Sequence, residues 1–203
     1  MAKIESVCVY CGSGNGASPI YAKAAAELGR EMAAAGIRLV YGGGSIGLMG
    51  TIARTVMAAG GAVTGIIPRF LEERELLLTE ISEVIVTADM HERKRLMFER
   101  SDAFIALPGG IGTLEELVEM MTWAQLGRHK KPVMIANIDG FWEPLLDLLQ
   151  HMRDADFIRS EYAINYLVAD AVGDILPMLQ AAADERSRAE LDQDASTGPL
   201  SRL

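Results

Sequence analysis

Residues 103–123 read AFIALPGGIGTLEELVEMMTW, and this stretch decides the fold. Ala103 to Leu107 is an apolar run too short for a helix, the pattern of a parallel strand buried on both faces. It breaks on Pro108-Gly109-Gly110. From Thr113 helical periodicity takes over, with Leu114, Leu117, Val118, Met121 and Ala124 forming one apolar stripe that can pack back on a sheet. The expectation is strand, glycine turn, helix. Gly109, Gly110 and Gly112 would let the backbone take positive φ and let a ligand come close to main-chain N–H groups. Unpaired N–H groups at the helix start then face the turn, where the helix dipole favours an anion such as phosphate. A second reading competes. Thr113-Leu114-Glu115-Glu116 also fits a capping box, with Thr113 bonding the Glu116 N–H and Glu116 reaching back, so that the acid only finishes the helix.

The same alternation extends in both directions. Residues 4–11 form a strand that runs into Gly12-Ser13-Gly14-Asn15-Gly16, a small-residue turn with one hydroxyl. A helix follows from about Pro19 to Ala35, with Ser18 as N-cap and Gly36 at its end. Residues 37–41 are a second strand, ending in a glycine run over 42–47, and 48–59 a short helix. That run matches GxGxxG, but the next strand ends in Pro68-Arg69 where the dinucleotide fingerprint expects an acid. Further strands are expected at 62–67, 82–87, 132–137 and 166–170, and further helices at 89–101, 141–155 and 172–183. Strands alternating with helices imply an α/β fold, a Rossmann-like doubly wound parallel sheet of about seven strands with helices on both faces. Its ligand crevice lies at the carboxyl ends of the strands, where all three glycine turns sit. Residues 1–183 read as one domain, and 184–203, charged and poor in apolar residues, as a disordered tail.

In the helix DMHERKRLMFERS, at about 100° per residue, Met90, Leu96, Met97 and Phe98 define the buried arc, and Arg93 and Lys94 fall inside it. Cations so placed need an anionic partner, unless their stems snorkel to the rim. The chain of 203 residues carries a formal net charge of −9 and no basic run, which argues against nucleic acid as partner. No segment approaches the roughly 20 apolar residues of a membrane span, and the N-terminus has no signal-peptide pattern, so a cytoplasmic protein is expected. Cys8 and Cys11 form a CxxC on an extended strand. Residues i and i+3 there lie roughly 10 Å apart, too far for a disulfide, so both read as buried thiols. The three histidines lack ligand spacing, and neither a metal nor a cofactor is expected.

CGSGNG at 11–16, VYGGGSIGLMG at 40–50, DMHERK at 89–94, PGGIGTLEE at 108–116 and TWAQLGRHKKP at 122–132 together resemble the Lonely Guy family of cytokinin riboside 5'-monophosphate phosphoribohydrolases, often mislabelled lysine decarboxylases. The resemblance covers about residues 4–180. One departure is Gly14, where relatives commonly carry a second serine. The resemblance implies hydrolysis of the N-glycosidic bond of a nucleoside 5'-monophosphate, a cytokinin riboside monophosphate or AMP, by a homodimer. It makes Arg93 and Glu116 the catalytic pair and puts Glu75, Lys94, Gly110, Ile111, Gly112, Thr113, Leu114, Glu115 and Thr122 at substrate-binding positions, and Ser13 and Gly109 on the glycine turns join them as candidate binding residues. Glu116 could stabilise oxocarbenium character at the sugar, orient water or bind ribose hydroxyls. Arg93 could clamp phosphate or assist the departing base, and Thr122 could touch ligand or a partner subunit. Two other readings stand beside this one: a non-catalytic nucleotide carrier on the same fold, and a pyridoxal phosphate decarboxylase, for which Lys94 is the only lysine placed in the crevice.

Overall fold

In the computed structural model, which describes residues 3–72, 76–158 and 165–196, seven strands form one parallel sheet. They are β1 (Ser6–Tyr10), β2 (Arg38–Tyr41), β3 (Val63–Pro68), β4 (Glu83–Thr87), β5 (Ala103–Ala106), β6 (Val133–Ala136) and β7 (Leu167–Ala169), in the order β4-β3-β2-β1-β5-β6-β7. All neighbouring pairs are parallel, with Cys8 opposite Val40 on one side and Phe104 on the other. The chain works outward from β1 to β4, then returns to lay β5 against the other side of β1. This reversal sends the helices that follow β1 and β5 to opposite faces of the sheet and opens a crevice at the carboxyl ends of those strands.

Side chains alternate across each strand, so the short apolar runs feed two cores at once. Val7, Val9, Leu39 and Ile105 pack with α1 (Pro19–Ala34), α2 (Gly47–Ala58) and α6 (Val172–Ser196). Cys8, Tyr10, Val40 and Phe104 pack with α3 (Met90–Glu99), α4 (Ile111–Gln125) and α5 (Glu143–Asp154). The sheet is therefore doubly wound. Leu28, Met32 and Ile52 are fully buried between α1, α2 and the sheet, each worth about 1.5–3 kcal/mol of transfer free energy. Gly29 lets the two helices close up, since a Cβ there would stand 3.1 Å from the Ile52 carbonyl oxygen. Among the described residues no helix is long and apolar enough to cross a membrane.

The segment from Asp184 departs from expectation. Instead of a disordered tail, α6 runs on to Ser196, while residues 197–203 lie outside the described residues. Composition was misleading because Ala, Glu, Arg and Leu are strong helix formers. In addition Ala183 is buried and Arg186 half-buried, so the helix keeps a docked side beyond the point where its charge density rises.

Candidate active site

At the switch point the loops after β1 and β5 meet. Gly12 donates its N–H to the Pro108 carbonyl over 3.1 Å, and Gly109 fits this junction only because it lacks a side chain. A Cβ there would lie 2.6 Å from Thr113 Cβ and 2.9 Å from Gly12 N. None of Gly109, Gly110 and Gly112 takes positive φ, which corrects the conformational argument made for them. Gly109 permits close approach of two loops, and Gly110 and Gly112 face open space.

The helix after this turn starts at Ile111, two residues earlier than the periodicity indicated. Its N-cap is Gly110, with no side-chain capping bond, and the first intrahelical bond runs from the Leu114 N–H to Gly110 O. Thr113 therefore sits inside the first turn, buried, and the capping-box reading of Thr113 and Glu116 fails for want of a helix end at that position. The amides of Ile111, Gly112 and Thr113 are left at the mouth of the crevice. A reciprocal cap does occur at α3, where Asp89 Oδ1 accepts from the Glu92 N–H at 2.9 Å and Glu92 Oε2 accepts from the Ala88 N–H at 2.8 Å. The Glu92 N–H holds the exposed Asp89 carboxyl below its ordinary pKa. This fixes the start of α3 one turn before Arg93.

The second glycine turn does not line the crevice as expected. The Leu48 and Met49 N–H groups, in the first turn of α2, donate to Gly12 O at 3.0 and 3.3 Å, so these donors are spent on the first loop. The turn instead seats Arg93, whose Nη2 donates to Gly42 O at 3.2 Å while Nη1 lies 3.7 Å from Met90 Sδ. Arg93 is buried, at 5% exposure, and its Nε has no hydrogen-bond partner among the described residues.

Arg93 and Glu116 border one cleft of about 450 Å³ together with Ser13, Gly110, Thr113 and Glu115. Ile111 and Gly112 also line it, as do Met49, Leu71 and Met90. Cys11 lies at its floor with a thiol pushed well up by burial, the Glu116 charge adding to the shift. Cys8 responds to the same two causes, so both free thiols stay protonated and the Glu116 carboxylate bears on the carboxyl end of β1. Among the described residues no cluster of three or more His, Cys, Asp or Glu could hold a metal ion.

Not every expected residue converges here. Lys94 Nζ is bound to Glu115 at 2.7 Å and Glu119 at 3.0 Å, bridging α3 to α4. Burial alone would lower its pKa, but these two carboxylates outweigh it and the ammonium is held above its ordinary value. Thr122 bonds Val118 O on the exposed side of α4, about 13 Å along the helix from Thr113 at 1.5 Å per residue. Leu114 packs against the core, and Glu75 lies outside the described residues. Sequence reading missed a second cleft of about 250 Å³ that shares Gly12, Ser13 and Gly110 with the first and is walled by Asn15, Tyr21 and Phe141. The Tyr21 and Phe141 rings meet edge to face at 5.6 Å. Both follow strands at the carboxyl edge, so α/β alternation combined with aromatic position was the signal available.

The sequence matches the model of the family described as "Possible lysine decarboxylase" over residues 49–179. A protein of Oryza sativa subsp. japonica named as a probable cytokinin riboside 5'-monophosphate phosphoribohydrolase is 51% identical over 155 residues, covering 76% of this chain and 70% of that one. An Arabidopsis thaliana protein named as a cytokinin riboside 5'-monophosphate phosphoribohydrolase is 46% identical over 180 residues, 89% of this chain and 79% of that one. Among solved structures, the molybdenum cofactor binding protein of Rippkaea orientalis superposes with a TM-score of 0.66 at 22% identity, over 89% of this chain and 98% of that one. This last likeness is one of fold alone.

Proposed function

Because the chain belongs to the Lonely Guy family, whose members are named cytokinin riboside 5'-monophosphate phosphoribohydrolases, we propose that it hydrolyses the N-glycosidic bond of such a nucleotide, or of AMP, to free base and ribose 5-phosphate. The observation that carries this reading is the convergence of the open first turn of α4 with Arg93 and Glu116 in one cleft at the switch point. The 5'-phosphate sits on the Ile111, Gly112 and Thr113 amides, where the helix dipole and the donors act together. Glu116, three to five residues further along the helix than these amides, then lies beside the ribose. As the C1'–N bond breaks, the base leaves with the electron pair, and cationic character grows at C1' and is stabilised by the carboxylate until water adds there; the water's hydroxyl stays on C1' and its proton balances the one the base takes from solvent. Arg93, seated on Gly42 O and permanently charged, holds the phosphate side of the ligand against the cradle.

A decarboxylase working through a lysine Schiff base fits less well. That chemistry needs a neutral amine, and Lys94 is kept as an ammonium by two carboxylates. The working unit is a homodimer, for which the exposed stripe of Ile111 and Val118 on α4 and Leu126 at its C-cap offers apolar surface. Incubation with isopentenyladenosine monophosphate and with AMP, followed by chromatography for free base, tests the activity. Absence of base release from every purine monophosphate would overturn it.

A further inference from the structure

The opposite edge of the sheet carries a second large cavity, of about 660 Å³, where β6 and β7 begin. It is bordered by α5, α6 and the segment after α4, and its size falls within the ~300–1,000 Å³ usual for small-molecule sites. Its lining departs from the rest of the molecule. In a chain with net charge −9, it gathers His129, Lys130, Lys131, Arg153 and Arg186 against one acid among the described residues, Glu185.

The two half-buried cations nearest the strand starts are held by neutral groups. Lys131 Nζ donates to Phe98 O at 2.7 Å and lies 4.1 Å from the centre of the Phe98 ring. Arg153 Nη2 donates to the Tyr166 hydroxyl at 2.9 Å and Nη1 to Gln150 Oε1 at 3.3 Å. Neither forms an ion pair with a carboxylate among the described residues. Burial pushes the Lys131 ammonium below its ordinary pKa, and Arg186 adds to this against the opposing pull of Asp102. His129 is likewise pushed down by burial, with Lys131 and Arg186 adding. Cations that depress one another's protonation define a site where bound negative charge is favourable. Ala124, Val133, Leu167 and the Tyr166 ring give the same cavity apolar walls.

We propose that this cavity binds a small organic dianion, a phosphate monoester or a dicarboxylate on an apolar body, at a site separate from the cleft that holds Arg93 and Glu116. Lys131, Arg153 and Arg186 supply the positive charge, and the ring and aliphatic walls receive the body of the ligand. Binding needs no new backbone placement, because Lys131 and Arg153 exchange only neutral acceptors for a charged one.

The test is a titration of the ¹⁵N-labelled full chain with phenyl phosphate, phthalate or phenol, followed by amide resonances. Phenyl phosphate or phthalate is expected to shift residues 131, 133, 166 and 167 saturably, and phenol to leave them in place. The tighter of the two anions identifies the class. Lys131→Gln/Arg153→Gln should weaken the binding at least tenfold, and Ala182→Phe, which fills the cavity without removing a charge, should abolish it. Should the charge variant fail to fold, Ala182→Phe decides alone. Shifts confined to residues 110–113, equal binding of phenol, or a Kd unchanged in the folded variants would overturn the proposal.

Discussion

Gly42→Ala separates the placement of Arg93 from its presence. Gly42 does not take positive φ, so alanine fits its backbone. The added methyl would nonetheless land on Arg93 Nη2 and within 3.1 Å of Met49 Sδ. The turn itself cannot retreat easily, being tied to the next segment by the Leu78 N–H to Gly43 O and Ser45 N–H to Leu76 O bonds, each 3.0 Å. Nη2 is the free end of a flexible side chain, so the guanidinium shifts by on the order of 1 Å and loses or lengthens its 3.2 Å bond to Gly42 O. A hydrogen bond to a charged group contributes about 1.5–3 kcal/mol, part of it recoverable in the new position. The net cost is about 1–2 kcal/mol, which lowers Tm by roughly 2–8 °C for a chain of this length and leaves it folded at room temperature. Catalysis is more sensitive. A misplacement of this size costs on the order of 10²-fold in rate, about 2.7 kcal/mol of transition-state stabilisation. Initial rates of base release from isopentenyladenosine monophosphate, measured beside a thermal melt, compare the two effects. A melt shifted as expected with kcat/KM within about threefold of wild type would refute the catalytic placement of Arg93.

Three further outcomes are expected. Glu116→Gln keeps shape and removes charge, so kcat should fall by about 10²–10³-fold with little change in KM; a rise in KM at unchanged kcat would restrict Glu116 to ribose binding. Lys94→Met removes the bridge to Glu115 and Glu119 and should cost about 1 kcal/mol near neutral pH, since Glu115 is half exposed. The folded-state pKa of Lys94 is raised, so its contribution is fully present below the unfolded value near ~10.4 and is lost as pH rises through the folded value. Urea midpoints should thus fall more steeply above about pH 10 in the wild type than in the variant, and parallel curves would contradict the assignment. Val118→Asp/Leu126→Lys charges the exposed stripe of α4 and should convert a dimer to monomer in sedimentation velocity; an unchanged sedimentation coefficient would place the interface elsewhere.

The fold was legible because its signals are local. Each strand is an apolar run of three to six residues ending at a turn, and strict alternation with helices leaves a parallel sheet as the economical solution. The placement of the candidate site at the carboxyl edge follows from that topology. The tail is misleading because its charge density masks the helix propensity of its Ala, Glu, Arg and Leu residues, although the run from Ala181 to Ala183 signals continuation. The capping pattern shows a different limit. Thr113 and Glu116, and Asp89 and Glu92, share one spacing, yet only the second pair caps a helix, because a cap works only at a helix end and the extended Gly110 moves the start of α4 two residues forward. For Lys94, periodicity found the inward arc but not its partners, although Glu115 and Glu119 stand one helical turn apart on the facing helix.

The second glycine turn was the least legible, because its partners are distant in sequence. Composition and spacing make residues 42–47 look as good a phosphate cradle as 109–112. What separates them is where the helix-start donors go. In α2 the Leu48 and Met49 N–H groups are taken by the Gly12 carbonyl, a contact that exists only once β1 and β2 lie side by side. In α4 the residues ahead of Leu114 have no capping side chain. An anion arriving at the switch point therefore meets one open helix start, beside an arginine that the other glycine turn holds in place. That division of labour, one turn presenting donors and the other positioning charge, is why Gly42→Ala tests the site without removing any group assigned to it.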